Sequence, residues 1–516
     1  MRPRTARSAL ASFGAGARPW LAVTAAALVL ASCGTRVPED EVRAALASAR
    51  SGAPVGDDMQ EAAPMPGESA GDRPGPDEPD SGDGEPRGET VATGDASPGG
   101  PASGGPAPTA PGERSPSGCS GTGGATDTGV TATSIAVGAT YAESSLIPGQ
   151  FRPAVDAVAA YLDMVNRERG GVCGRRIDFH VHNDGLNAQR YGENVRHLAE
   201  EDRVFAMLGN LSAADSGGCG FMDGQRPPDG VPDIGTFALS YCRSQDDGFY
   251  SPMGSLKPGI YGCCVDWEWL EERTGLTTPA VHYLDVEISR DQGLAVADAL
   301  ARTLGLGGRD DVYRGEHSAA QFSYAGDVQD MQDAGVDAVW SSMDLNGNVK
   351  LVRAMCQQEW YPKVVHVEIS SYDPQFIERV GPDCVRSQHI WMRSPHLPFT
   401  SPNDEVRSYL DHLRNYCPGC RPSSFGLEGW LSAKLFVEVL EEVGPELTRR
   451  RFFEAMDAVR DWTGGGTIGP NTPSRRLIYH CNVLVEVRPA GFFMERGWGC
   501  GKFYASGDVT GPPVGP

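Results

Sequence analysis

Thirteen cysteines carry the most reactive side-chain chemistry in this 516-residue sequence. Cys33 closes an N-terminal apolar run, and the other twelve make an even number, compatible with six disulfides in an oxidising compartment. Spacing alone does not fix pairing. Proximity in sequence would join Cys119 with Cys173, Cys219 with Cys242, Cys356 with Cys384, Cys417 with Cys420 and Cys481 with Cys500, leaving the adjacent Cys263 and Cys264. Cys417-Pro418-Gly419-Cys420 also has the spacing of a redox dithiol. A redox site sits at a helix N-terminus, where the dipole lowers the thiol pKa, whereas this motif follows the helical stretch 404–416, so a structural bridge is expected. It has no second pair at zinc-ligand spacing. His180 and His182 alternate along a strand and read as polar-face residues, not metal ligands. GxSxG, HExxH and GxxxxGK[ST] are all missing. The sequence therefore predicts no enzyme, no cofactor and no metal site.

The N-terminus holds Arg2, Arg4, Arg7 and Arg18, no acid, and an apolar run from Trp20 to Ala31, the layout of a secretory signal peptide. The run is shorter than the roughly 20 apolar residues of a membrane-spanning helix. Leu30-Ala31-Ser32-Cys33 resembles the lipobox of bacterial lipoproteins, in which the Cys thiol is lipidated. This predicts a signal peptide over 1–32 and a membrane anchor on Cys33. An ordinary signal peptide or an uncleaved anchor stays open, and every route puts the rest of the chain outside the cytoplasm. From Gly34 to Gly118 there is no Phe, Trp or Tyr, and Pro, Gly, Ser, Ala and acids dominate. So little apolar surface cannot offset the entropy of ordering. Residues 33–127 therefore read as an acidic spacer, with an interaction tail as the alternative. The formal net charge of −23, from 45 basic and 68 acidic side chains, excludes a protein that works by neutralising nucleic-acid phosphates.

Beyond Cys119, strand-like runs alternate with amphipathic helical patterns. Ser134 to Thr140 reads as a strand, and Val155, Val158, Leu162 and Val165 recur at helical spacing up to Gly170-Gly171. Strands near 177–181, 204–208 and 232–236 and a helix over 187–201 complete one series. A second has strands at 280–284, near 312, and at 338–343, 363–368 and 389–393, with helices over 291–303, 323–334 and 348–359. Such alternation predicts an α/β protein with parallel sheets covered on both faces, and about 380 residues of it exceed one core. Two α/β lobes are the natural division.

Gly129-Val130-Thr131 before the first strand, the helix 157–171 (AVAAYLDMVNRERGG), Gly174-Arg175-Arg176-Ile177 with Asn183-Asp184-Gly185, Leu208-Gly209-Asn210, Tyr372-Asp373-Pro374, the helix 425–435 (FGLEGWLSAKL) and Thr463-Gly464-Gly465 through Pro470 occur in one order. Together they resemble the type I periplasmic binding proteins, specifically the branched-chain amino-acid (Leu/Ile/Val) substrate-binding proteins of ABC transporters. The resemblance spans 128–500. It implies two Rossmann-like lobes with parallel sheets joined by a hinge, lobe one over 128–247 and 396–460, lobe two over 248–395 and 461–505, a flexible tail over 506–516, and a ligand cleft at the carboxyl ends of the strands.

An amino acid offers a carboxylate, which wants N–H and hydroxyl donors, and an ammonium, which wants a carboxylate. By position, the resemblance places the donors on Asn210, Leu211, Ser212, Ala213, Ala238 and Ser240, and the ammonium partner on Glu368, with Asp344 nearby. Ser212 could equally cap the helix that follows it, and a lone loop carboxylate such as Asp344 is usually a solvated group. The family's lobe-two aromatic falls on Ser289-Arg290 and the one after the first strand near Ile147, while Ala213 replaces a frequent Ser. A copy of a leucine site is therefore not expected; another amino acid, an amide or a different small polar compound fits as well. The implied partners are this small molecule, a permease and an ATPase on separate chains, and the membrane through Cys33. A ligand-sensing lipoprotein of the same fold is the alternative.

Overall fold

The computed structural model describes residue 119 and residues 123–144, 148–477 and 479–514. Cys33, the signal peptide, most of the spacer and Ile147 lie outside them. Lobe one begins with β1 (Ser134–Tyr141), α1 (Arg152–Glu168), β2 (Arg176–Asn183), α2 (Ala188–Glu200), β3 (Ala206–Leu208), α3 (Cys219–Met222), β4 (Asp233–Ile234), α4 (Tyr241–Ser244) and β5 (Phe249–Tyr250). Lobe two carries β6 (Ile260–Cys263), α5 (Val265–Thr274), β7 (Pro279–Leu284), α6 (Glu287–Thr303), β8 (Tyr313–His317), α7 (Ala325–Asp333), β9 (Ala338–Ser342), α8 (Leu345–Gln357), β10 (Val364–Val367), α9 (Pro374–Val380), α10 (Pro382–Ser387) and β11 (Ile390–Ser394). The chain returns to lobe one through α11 (Asp404–Tyr416), α12 (Ser424–Val443) and α13 (Arg449–Ala458). It ends in lobe two with β12 (Cys481–Arg488), β13 (Gly491–Cys500) and β14 (Lys502–Ala505).

The lobe-one sheet has the order β2-β1-β3-β4-β5, every pair parallel. Lobe two has the order β13-β12-β11-β10-β9-β7-β8. Its β7–β11 are parallel, as the alternating pattern predicts, but β12 and β13 form an antiparallel hairpin on the β11 edge. No helix separates these two strands, so the crossover that parallel pairing needs is missing. The segment 506–514 is docked rather than loose: Arg302 donates to the carbonyls of Asp508 at 2.7 Å and Gly511 at 3.0 Å, and Val509 is buried. The five cysteine pairs named above are bonded, and Cys263 and Cys264 face each other across a cis peptide. Cys417 lies at the C-terminal end of α11, the wrong end of a helix for a low-pKa thiol.

Lobe one is built on the crossing of α1 with α12. Val155, Val158, Leu162 and Val165 bury one face of α1, and Tyr161 meets Trp430 edge to face at 4.7 Å. The helices approach closely because Gly429 faces Ala154: a Cβ there would lie 2.2 Å from the Ala154 carbonyl oxygen. A Gly429→Ala change gains roughly 1 kcal/mol of helix propensity. Overpacking against fixed backbone costs about 1–3 kcal/mol, and the clash is expected to win. A denaturant midpoint equal to or above that of the parent would show that α1 and α12 can separate freely.

Candidate ligand cleft

The loops after β3 and β4 are held by a buried charge network. Asn210 accepts from Thr140 N at 2.8 Å and donates to Asp233 Oδ1 at 3.3 Å. Arg243, on α4, forks onto Asp233 at 2.8 and 3.0 Å and reaches Asp215 Oδ2 at 3.4 Å. It also donates to the carbonyls of Asn210 and Phe237, both at 3.4 Å. Burial works against the guanidinium's charge, and Asp233, Tyr191 and Asp215 together more than offset it. Asp215 accepts from Leu239 N at 2.7 Å, joining the second loop to the first. Burial raises its pKa, with Arg243 opposing. The Cys219–Cys242 bridge ties α3 to α4 on the same side.

On this frame the expected donors divide. The Ser212 hydroxyl accepts from Ala214 N at 3.0 Å and bonds to Asp184, whose pKa burial pushes up to about 6. It closes a local turn and is spent inside the protein. Ser240 precedes α4 without capping it, its Oγ 3.5 Å from Cys242 Sγ and 3.8 Å from Cys219 Sγ. Leu211 N is committed to Thr140 O. Among the described residues, the backbone N–H groups of Ser212, Ala213, Ala238 and Ser240 donate to no protein acceptor. Beside them is an apolar cluster of Phe151, Leu211, Phe237, Leu239 and Phe425. Aromatic rings are thus present, although not at the positions the family pattern suggests; Ser289 instead accepts from Leu284 N at 2.8 Å.

In lobe two the loops after β9 and β10 are joined by Ser370 Oγ, which donates to Met343 O at 3.1 Å. Asp344 caps α8, accepting from Gly347 N at 3.0 Å and Asn346 N at 3.2 Å. Its carboxylate is thereby occupied. Glu368 accepts from Ser370 N at 2.7 Å, and burial raises its pKa against the pull of that N–H and of Arg393. A second carboxyl, absent from the sequence expectation, belongs here. Glu428 on α12 is buried, and its pKa is pushed up to about 8 by burial; Ser424 opposes the shift and the charge of Glu368 adds to it. The lobes also meet where Tyr241 Oη donates to Asp291 Oδ2 at 2.6 Å, from α4 to α6.

The hydrogen bonds around Glu428 run through Ser424. His396 Nδ1 lies 3.0 Å from the Leu397 carbonyl, which only accepts, so this nitrogen carries a proton. Burial lowers the His396 pKa to about 4, and its Nε2 lies 2.9 Å from Ser424 Oγ. Ser424 Oγ donates to Glu428 Oε1 at 3.0 Å, the bond that opposes the rise in the Glu428 pKa.

The family model for periplasmic binding proteins matches residues 134–491. The chain belongs to the periplasmic binding proteins. Solved structures share the fold: a branched-chain amino-acid ABC transporter protein from Thermus thermophilus with bound valine has 15% identity and a TM-score of 0.59, covering 71% of this chain and 97% of its own. A fatty acid ABC transporter substrate-binding protein from Thermomonospora curvata has 16% identity and a TM-score of 0.59, covering 72% and 94%. A substrate-binding periplasmic protein from Ralstonia solanacearum has 19% identity and a TM-score of 0.58, covering 70% and 100%. A search of curated proteins finds no match. This periplasmic binding protein is a non-enzymatic solute-binding protein that works outside the cytoplasm. Among the described residues no helix is long and apolar enough to cross a membrane.

Proposed function

We propose that the protein captures an amino acid or closely related amine in the interlobe cleft and delivers it to an ABC permease and its ATPase on other chains, while a lipid on Cys33 tethers it to the membrane. The division of charge between the loops carries this reading. Lobe one presents N–H groups without protein acceptors beside an apolar cluster, and lobe two presents Glu368, whose charge acts on Glu428 of the lobe-one helix α12. A zwitterion with an uncharged side chain complements all three. Asn210 and Leu211 act through their backbone and through Thr140; Ser212, Ala213, Ala238 and Ser240 receive the carboxylate, and Glu368 receives the ammonium. Asp344 shapes the loop beside Glu368. Closure draws on contacts to both lobes at once.

The test is calorimetric titration of the full chain with amino acids, amides, polyols and organic acids. The expected result is binding of one amino-acid class, weakened at least about 10-fold in Glu368→Gln because the charge-assisted bond is lost. Equal affinity in Glu368→Gln, or binding confined to ligands without an amine, overturns the assignment.

A further inference from the structure

We propose that His182 Nε2, His197 Nε2 and Asp202 Oδ2 form a binding site for a divalent transition metal of the zinc class on the outer edge of lobe one. The alternation of His180 and His182 along β2 says only that they share a face. What changes their meaning is α2, which packs on that face and brings His197 from its last turn and Asp202 from just beyond its end.

Three imidazole nitrogens converge on one carboxylate oxygen. Asp202 Oδ2 lies 3.5 Å from His182 Nε2, 3.6 Å from His180 Nδ1 and 3.8 Å from His197 Nε2. The donor atoms of His182, His197 and Asp202 all lie within 4.8 Å of one another. These separations are long for hydrogen bonds between charged groups, about 2.7–2.9 Å. They are close to the spacing of ligand atoms around a tetrahedral ion, which at metal–ligand distances of about 2.1 Å is roughly 3.4 Å. A single carboxylate oxygen gives one imidazole a good partner, not three, so a cation at the centre satisfies the group better than any pairing within it.

The surroundings fit as well. His197 Nδ1 rests 3.1 Å from Glu201 Oε2, the outer-sphere carboxylate that orients a metal-bound imidazole and leaves its other nitrogen for the ion. The rings of His182 and His197 stand edge to face, their centroids 5.1 Å apart. The four side chains are between 22% and 41% exposed, which gives an ion a route in. Two imidazoles and a carboxylate suit zinc, nickel or copper rather than calcium or magnesium. An ion held by these three donors, with water completing its coordination, pins the sheet edge at β2 to the end of α2.

The probe is Zn²⁺, titrated calorimetrically into the full chain without an affinity tag in metal-free buffer, with Co²⁺ absorption as an independent readout of coordination. One ion per chain is expected, with a tetrahedral Co²⁺ spectrum. His182→Ala and His197→Ala should each weaken binding at least about 10-fold, and His389→Ala, at an exposed histidine on lobe two, should leave it unchanged. Melting curves in EDTA show whether each variant remains folded. Absence of stoichiometric binding, or binding that His182→Ala and His197→Ala leave intact, overturns the proposal.

Discussion

Replacing Arg243 with methionine is expected to destabilise the protein by about 3–5 kcal/mol, the usual cost of removing one partner from a buried ion network. Methionine matches much of the volume, so the loss is electrostatic. Asp233 and Asp215 remain behind, buried and 2% and 1% exposed, without the guanidinium that now bonds both. Asp215 is the more vulnerable: burial already raises its pKa, and Arg243 is the largest influence opposing that shift. Adding Asp233→Asn and Asp215→Asn to Arg243→Met should restore a large part of the loss, because neutral amides need no counter-ion. Arg243→Lys keeps the charge but not the fork. It should loosen the Asn210 and Phe237 loops, lowering ligand affinity more than stability. Guanidinium denaturation of the four proteins checks this. An Arg243→Met midpoint within about 1 kcal/mol of the parent would mean that the network adds little.

The charge network shows where sequence reading stops. β1, α1, β2, α2 and most of β7–β11 were legible because each buries a stripe or a whole strand of apolar side chains long enough to show a period. β4, two residues long, falls within the run expected at 232–236, but β5, also of two residues, is too short for any period. β13 is mostly exposed past Phe492, with Met494 and Trp498 among the exposed apolar side chains, so its pattern does not read as a core strand. The loops at the strand ends were legible as positions, since the order of motifs places them, but not as chemistry. Nothing near Arg243 says that it will meet Asp233 and Asp215, and nothing near Tyr241 points to Asp291. Glu428 is different. It sits in Phe425-Gly426-Leu427-Glu428-Gly429-Trp430 on a helix buried along most of its length, and a lone acid in such a window was a signal available in the sequence. Likewise Asp202 lies only a few residues past His197, yet its meeting with His180 and His182 depends on how α2 crosses β2.

Glu428 should make stability depend on pH in the direction opposite to that of a salt-bridged acid. Its folded pKa of about 8 lies above an unfolded value of about 4.3. Between those values the native state holds a proton that the unfolded chain has released. Stability from this group is therefore complete below about pH 4.3 and is lost at up to roughly 1.4 kcal/mol per unit as pH rises towards 8, on the order of 3–5 kcal/mol in all. Other groups titrate over the same range, so the informative quantity is the difference between parent and Glu428→Gln. Glutamine keeps the shape, can still accept from Ser424 Oγ through its amide oxygen and cannot ionise. The variant should match the parent near pH 5 and exceed it by a few kcal/mol at pH 8; parallel curves across that interval would show that Glu428 is already ionised in the fold. The same proton bears on the ligand. The charge of Glu368 is one cause of the high Glu428 pKa, and an ammonium bound at Glu368 cancels that repulsion. Capture of an amine near neutral pH should therefore release a proton, seen as a dependence of the calorimetric binding heat on the buffer's ionisation enthalpy, and the release should be smaller in Glu428→Gln.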